Sequence, residues 1–225
     1  MEKLCYDFYH RPCETVAREL VGKVLVRRIG DEELRLRITE TECYCGEEDT
    51  ACHASKGRTK RTEVMYGSAG AIYVYLCYGV HWMLNIVTGA EGHPEAVLVR
   101  SCEGKYNGPG KLTKAMCITG QLNRGSIFGD ELWVEDDGFR CGVEPDTRVG
   151  IGYASRVSGS TPHRKPSSST QSSSPKILPR LSCPVMHMAL VSLPGPLYFP
   201  SQARISTASG WPSSPVTIFS IQWTP

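Results

Sequence analysis

The chain has 225 residues and a formal net charge of +2, which gives enough length for one substantial hydrophobic core and too little charge for a bulk polycation. No apolar run is long enough to span a membrane, and the N-terminus lacks the pattern of a signal peptide. We therefore expect a cytoplasmic protein, or a nuclear one in a eukaryote, with reduced thiols rather than disulfides for its ten cysteines.

The predicted elements are mostly short strands joined by turns. A helix over 13–20 has Pro12 at its start and Gly22 just past its end. The expected strands lie in chain order at 23–29, 34–42, 71–79, 81–87, 95–102, 131–135 and 148–152. One further helix is expected near 112–118. This pattern predicts an α+β fold in which a single domain with a curved, mainly antiparallel sheet and peripheral helices is followed by an irregular tail.

The end of the second predicted strand carries the strongest chemical signal. Apolar side chains alternate over 34–38, so Glu40 and Glu42 continue the apolar face if the strand persists. A carboxylate aimed inward is costly unless it is paired or put to use. Tyr44 has the same parity and His53 follows nine residues later, so a catalytic pocket is one interpretation. A solvated or ion-paired glutamate is the other.

A hairpin rich in aromatic residues follows. Its first strand carries Tyr73 and Tyr75, and Tyr78 falls at the expected tip. A large aromatic residue at a tip is exposed unless something covers it or it inserts into a partner. Asn85 lies inside the apolar run of the second strand and must find hydrogen bonds if it is buried. A flat ligand could satisfy that amide.

Metal binding is a rival interpretation of the cysteines near the strand end. Cys43, Cys45, Cys52 and His53 fall within eleven positions and are of zinc-ligand type. Their spacing, Cys-x-Cys and then an adjacent Cys-His, differs from the usual pairs of Cys-x₂₋₄-Cys. We therefore expect no metal, and a small zinc- or partner-binding module is the less favoured alternative.

Charge is distributed unevenly along the chain. Residues 1–146 hold all 23 acidic residues and 18 basic ones, a net charge of −5, whereas residues 147–225 hold seven Lys or Arg and no acid. Contacts with nucleic acid must therefore come from local clusters. The two clusters are Lys56, Arg58, Lys60 and Arg61, and Lys105, Lys111 and Lys114. A solvated basic loop explains either cluster equally well.

Together these motifs resemble the alkyladenine (3-methyladenine) DNA glycosylase family over roughly residues 5–154. The matching segments, in order, are Asp7-Phe8-Tyr9, 21–26, 40–44, 58–61, Tyr73-Val74-Tyr75, Leu84-Asn85, 97–100, 107–112 and 148–152. The resemblance implies a base-excision repair glycosylase that flips alkylated purines out of double-stranded DNA and hydrolyses the N-glycosidic bond. It implies a monomer that needs no cofactor.

The resemblance also implies roles for individual residues. Glu42 would be the general base that activates water, which Arg100 and the main-chain carbonyl of Ile151 would help to hold. Asn85 would discriminate against the amino group of guanine, and Tyr78 would fill the gap left in the duplex. Three rings would sandwich the extruded base, namely Tyr44, His53 and Tyr75. Six residues would contact the DNA backbone, namely Arg58, Lys60, Arg61, Met65, Tyr73 and Lys111.

The chemistry of alkylated purines fits these roles. A glycosylase must take its base out of the stack, which costs a few kcal/mol and least for a damaged base. Bases such as 3-methyladenine are cationic, and a tyrosine face attracts a cation by roughly 0.5–2 kcal/mol. They are also good leaving groups, so one carboxylate and one water suffice. No lysine lies in the pocket motifs to form a Schiff base, which predicts a monofunctional enzyme without a lyase step.

Two stretches depart from the family pattern. Segment 100–107 is much shorter than the helical insert that usually precedes Gly-Pro-Gly-Lys. The resemblance then stops near 154, where the family continues into a Pro-Trp-Arg-Phe motif on a closing strand. We therefore expect a C-terminally incomplete glycosylase domain at 1–154 and a Ser/Pro-rich tail at 155–225, either disordered or translated in a shifted frame. A crippled DNA-binding relative is the alternative to an active enzyme.

Overall fold

Antiparallel strands dominate the described part of this computed structural model, which comprises residues 1–146, 148–149 and the backbone of 218–220. The α-helices are α1 (Tyr6–Tyr9), α2 (Cys13–Leu20) and α3 (Pro109–Ala115), and 3₁₀ turns lie at His53–Lys56, Glu63–Tyr66 and Gly120–Leu122. The strands are β1 (Glu2–Lys3), β2 (Val24–Ile29), β3 (Glu32–Cys45), β4 (Ile72–Cys77), β5 (His81–Thr88), β6 (Glu95–Cys102), β7 (Leu132–Asp136), β8 (Glu144–Asp146) and β9 (Ile218–Ser220).

One sheet joins these strands in the order β1-β7-β2-β3-β6-β5-β4. The long β3 connects its two parts, because residues 32–37 pair with β2 and residues 38–45 pair with β6. The short β9 pairs with both β3 and β8. Every one of these pairings is antiparallel. The predicted α+β fold with a mainly antiparallel sheet is therefore confirmed.

An irregularity in β3 decides which side chains face which side of the sheet. The register with β6 shifts twice between Ile38 and Thr41. Ile38 packs in the main core before the shift, and Cys43 packs there after it. An extra residue at a bulge reverses the alternation of side chains. The expectation that Glu40 and Glu42 continue the apolar face of Ile38 is therefore wrong, and both carboxylates lie on the opposite face.

The two larger hydrophobic clusters lie on opposite faces of the sheet. The main core lies beneath α2 and α3, and α2 faces it with residues spaced i, i+3, i+4 and i+7, namely Cys13, Val16, Ala17 and Leu20. The smaller cluster lies on the other face and contains Cys52, Ala54, Val64, Met65, Tyr66, Tyr73, Val87 and Ala96. The smaller cluster is the one that surrounds the polar side chains of interest.

Several elements differ from their expected bounds. The helix expected near 112–118 begins earlier, at Pro109, because proline suits the first turn and the preceding Gly108 adopts a φ of +114°. Residues 148 and 149 are not in the strand expected at 148–152, and the rest of that segment lies outside the described residues. Strand β8 was not expected. Of the tail at 155–225, only β9 is described, so the domain boundary at 154 stays a prediction. Among the described residues, no helix has the length and apolar character required to cross a bilayer.

Candidate active site

A pocket opens on the face of the sheet that carries the smaller cluster. It has about 300 Å³ of empty space, part of which is open to solvent. Its lining comes from β3 to β6 and from the loop after β3, and consists of Tyr44, Ala51, Cys52, His53, Met65, Tyr73, Tyr75, Asn85 and Ala96. The structure thus brings together the tyrosines, the histidine and the asparagine that the sequence analysis selected. Four of these residues, Tyr44, His53, Tyr75 and Asn85, come from separate segments of the chain.

Glu42 lies behind Tyr44 at the edge of this pocket, with only 2% of its surface exposed. Its Oε2 accepts a hydrogen bond from the Tyr44 hydroxyl at 2.8 Å. Its Oε1 accepts one from Arg100 Nη1 at 2.9 Å and a longer one, 3.3 Å, from the main-chain N–H of Val149. Burial raises the pKa of Glu42, and the Arg100 charge, the Tyr44 hydroxyl and the Val149 N–H oppose that rise. The result is a desolvated carboxylate surrounded by donors, which suits a general base.

A second carboxylate fixes the arginine that holds Glu42. Arg100 Nε donates to Glu40 Oε1 at 2.9 Å while its Nη1 donates to Glu42. The other oxygen of Glu40 accepts from the Ser101 hydroxyl at 2.9 Å, and that hydroxyl accepts from the N–H of Gly108. The guanidinium is therefore held between two acids, and the loop before α3 supports the arrangement.

His53 is held by the aromatic side chains around it. Its Nδ1 lies 2.9 Å from the Tyr73 hydroxyl, and its ring meets the Tyr75 ring edge-on, with centroids 4.5 Å apart and planes at 70°. Burial lowers the pKa of His53 to about 4, and the charges of Arg61 and Lys56 act in the same direction. The imidazole is therefore neutral near pH 7 and adds no positive charge to the pocket.

Asn85 and Tyr78 both belong to the β4–β5 hairpin, Asn85 within β5 and Tyr78 at the tip. Asn85 is buried, and its Nδ2 donates to the main-chain carbonyl of Tyr73 at 3.2 Å. Tyr78 lies at the tip, 96% exposed, with a φ of +49°. Leu76 and Val80 beside it are also exposed. The tip therefore presents apolar side chains to solvent, as the sequence predicted for Tyr78.

Comparison with known proteins places the chain in one family. A family model described as methylpurine-DNA glycosylase matches residues 7–165. A relative from Methanocella arvoryzae is 44% identical over 174 residues, covering 68% of this chain and 87% of the relative. One from Legionella pneumophila strain Paris is 44% identical over 164 residues (68% and 88%), and one from Natranaerobius thermophilus is 41% identical over 176 (68% and 89%). All three are provisionally named 3-methyladenine DNA glycosylases.

The chain belongs to the methylpurine-DNA glycosylase family. The resemblance inferred from the sequence motifs is thereby confirmed. Membership makes this chain a DNA glycosylase of base-excision repair, a hydrolase whose substrate is DNA. The roles of individual residues are not fixed by membership, so their places in the structure matter.

A buried ion pair beside the pocket was missed by the sequence analysis. Arg148 donates to both carboxylate oxygens of Asp49, each at 2.8 Å, and both side chains are buried. Its guanidinium lies 4.6 Å from the centre of the Tyr44 ring and donates to the Cys43 carbonyl at 3.3 Å. Arg148 begins the Arg-Val-Gly-Ile-Gly segment in which Ile151 was selected, but no local pattern connects it with Asp49.

The residues expected at the DNA backbone divide into two groups. Arg58, Lys60, Arg61 and Lys111 are exposed. Arg61 also lies 5.1 Å from the centre of the Tyr75 ring, at the rim of the pocket. Met65 and Tyr73 are each only 2% exposed and line the pocket. Neither residue therefore presents an exposed side chain to a phosphate, and their expected contact with the DNA backbone stays a prediction. Ile151 lies outside the described residues.

The four zinc-type residues of the sequence analysis do not meet at one point. Cys52 and His53 line the pocket, whereas Cys43 lies on the opposite face of β3 in the main core. Two of the four, Cys43 and Cys45, instead meet a third thiol, Cys13, and the three sulfur atoms lie within 4.8 Å of one another. Eight cysteines of the described residues are free thiols, whereas Cys117 is disulfide-bonded, so the expectation of reduced thiols does not hold for Cys117.

Proposed function

We propose that this chain removes alkylated purines from double-stranded DNA as a monomeric, monofunctional glycosylase, with Glu42 as the base that activates water. The observation that carries this proposal is the burial of Glu42 among three hydrogen-bond donors directly behind an aromatic pocket. Buried, preorganised groups of this kind stabilise charge more strongly than groups in water.

Activation of water requires a change in the hydrogen bonds of the Glu42 carboxylate. Tyr44 lines the pocket whereas Glu42 does not, and the two oxygens of Glu42 already accept from Tyr44, Arg100 and Val149. A water that gives its proton to Glu42 must therefore replace or share one of these bonds. The Tyr44 bond is the one on the pocket side, since Tyr44 lines the pocket. The main-chain carbonyl of Ile151 would be a further ligand of this water.

Recognition of the base would rest on the faces of the tyrosine rings and on the absence of charge on His53. Tyr44 and Tyr75 offer electron-rich faces that attract a cationic alkylpurine by roughly 0.5–2 kcal/mol. A protonated histidine would repel the same base, and the low pKa of His53 removes that repulsion. Asn85, which lines the pocket and is held by the bond from its Nδ2 to the Tyr73 carbonyl, would discriminate against the exocyclic amino group of guanine.

Access to the base would require the hairpin tip and the basic loop. Tyr78 would fill the space left by the extruded nucleotide, which offsets part of the unstacking cost of a few kcal/mol. Arg58, Lys60, Arg61 and Lys111 would bind phosphates, and binding should then weaken as salt concentration rises.

The test is release of free base by the full chain. We expect 3-methyladenine to appear in solution when the protein is incubated with methylated duplex DNA, while the DNA strand stays intact. We also expect borohydride to trap no covalent protein–DNA adduct. Tight binding of damaged DNA without release would identify a crippled relative instead, and a trapped adduct would contradict the monofunctional mechanism. A panel of lesion-bearing duplexes would then rank the substrates.

A further inference from the structure

Three thiols meet between α2 and β3, on the face of the sheet opposite the pocket. The sulfur atoms of Cys13, Cys43 and Cys45 all lie within 4.8 Å of one another, and those of Cys13 and Cys45 are 2.9 Å apart. Cys13 and Cys43 are fully buried, and Cys45 is half-buried. The cluster therefore has a dry interior and one side that an ion could reach.

The irregular register of β3 creates this cluster. After the shift at residues 38–41, Cys43 and Cys45 point toward α2, while Glu42 and Tyr44 point toward the pocket. Cys13 is the first residue of α2, and its main-chain N–H donates to Glu95 at 2.9 Å. The first turn of α2 is thereby held against the sheet at the place where the other two thiols emerge.

A fourth ligand stands beside the three sulfurs. Glu14 Oε1 lies 3.2 Å from the Cys45 sulfur, and Glu14 Oε2 lies 3.6 Å from the Cys13 sulfur. One carboxylate therefore spans two of the thiols from the exposed side of the cluster. A carboxylate is an established zinc ligand, although less soft than a thiolate.

The spacing suits a tetrahedral ion. Sulfurs bound about 2.3 Å from a tetrahedral Zn²⁺ lie roughly 3.8 Å from one another. The sulfurs here are separated by 2.9 Å at one pair and by no more than 4.8 Å at the others, so adjustments of about 1 Å or less would create the site. Three thiolates and one carboxylate carry the same formal charge as the four thiolates of a common structural zinc site.

We propose that Cys13, Cys43, Cys45 and Glu14 bind a thiophilic divalent ion, Zn²⁺, that links the first turn of α2 to β3. The ion would replace the protons of three thiols and would be a structural ligand, remote from the DNA. Because Cys43 and Cys45 alternate with Glu42 and Tyr44 along β3, the link would stiffen the strand that carries the pocket residues. The proposal stands on this geometry and not on the glycosylase mechanism.

The first experiment uses the unaltered, reduced full chain. We expect mass spectrometry of the metal content to find about one Zn²⁺ per chain, as for a structural site. We also expect Co²⁺ to give the charge-transfer and visible bands of tetrahedral thiolate coordination and Zn²⁺ to abolish them. Removal of the ion by a chelator should lower the melting temperature, and added Zn²⁺ should restore it.

Variants then locate the ion. Cys13→Ser and Cys45→Ser should lose the Co²⁺ bands, and Glu14→Gln should keep one metal per chain with weaker binding. Cys102→Ser is the matched control, because Cys102 is a buried thiol outside the cluster, and it should bind the ion normally. Circular dichroism checks that each variant is folded. A reduced chain that takes up neither metal overturns the proposal, as does a metal retained by both serine variants.

Discussion

The two ends of the site differ in how their side chains are held. Glu42 and Arg100 are buried in a network of short hydrogen bonds behind the pocket. Tyr78, at the tip of the β4–β5 hairpin, is almost fully exposed in a left-handed backbone conformation. The first region fixes charges before any substrate arrives, and the second displays apolar surface that only a partner could cover. Under the proposed function, the buried region would carry out the chemistry and the exposed tip would distort the substrate.

This division has an energetic reason. Charges that act on a reaction are effective when they are preorganised and desolvated, which requires burial and partners on every side. A wedge that enters DNA must instead be available to the duplex, so it cannot be packed in the core. Changes in the buried region should therefore affect stability and activity together, whereas changes at the tip should affect activity alone.

The largest expected effect comes from the buried ion pair next to Tyr44. Asp49→Asn leaves the Arg148 charge buried without its partner, and breaking a buried pair costs about 3–5 kcal/mol. Urea unfolding measures this loss. The control is Glu19→Gln, which breaks the exposed pair with Arg11 and should cost less than about 1 kcal/mol. Equal losses in the two variants would refute a structural role for the Asp49 pair.

A smaller loss of stability is expected at β9. Phe219→Pro removes the N–H at the centre of a strand that lies between β3 and β8, at the level of Glu40 to Glu42. Proline within a paired strand removes a ladder hydrogen bond, and the cost should be roughly 1–3 kcal/mol. Thermal melting and base release should both decline. Unchanged melting would show that β9 adds nothing to the sheet in solution.

At the hairpin tip, the expected effect falls on activity alone. Tyr78→Gly removes a ring that can stack with bases, a contribution of about 1–3 kcal/mol, or roughly one to two powers of ten in single-turnover rate. Stability should stay within about 0.5 kcal/mol, because the residue is exposed and its positive φ suits glycine. Tyr78→Phe keeps the ring and should keep the rate. If Tyr78→Gly reacts at the parent rate, Tyr78 does not act as a wedge in the duplex.

The pH dependence should be governed by Glu42. Burial raises its pKa above the usual 4.5, so the rate of base release should fall as the pH drops through that raised value and the base becomes protonated. Arg100→Gln removes a charge that lowers this pKa, so the fall should move to higher pH. His53 has a pKa of about 4 and contributes nothing between pH 5 and 8. If Arg100→Gln does not shift the pH at which the rate falls, the assignment of this fall to Glu42 is contradicted.

Local patterns predicted much of the fold and of the pocket. Helix α2 follows from its apolar spacing and from Pro12, and the exposed tip at Tyr78 follows from two β-rich runs that flank a turn. Both signals reside in adjacent residues, where side-chain periodicity and turn chemistry determine the conformation. The motifs that resemble the glycosylase family supplied the pocket residues.

Features that depend on distant residues were not predictable in this way. Nothing in Ile38-Thr39-Glu40-Thr41 indicates a bulge, so the alternation of side chains along the sequence placed Glu42 on the wrong face of the sheet. The pairs Asp49–Arg148 and Cys13–Cys45 join separate elements, and their residues carry no local mark of the contact. Strand β9 is too short to produce a periodic signal.

The comparison of Glu42→Gln with Glu40→Gln tests the central claim most directly. Both acids lie on β3 and both bind Arg100, but only Glu42 bonds Tyr44 at the pocket. Under single-turnover conditions on a duplex that contains an alkylated purine, Glu42→Gln should lower the excision rate by about 100–10,000-fold. The variant protein should still bind the duplex. Glu40→Gln should lower excision far less. If Glu42→Gln excises at the parent rate, Glu42 is not the base.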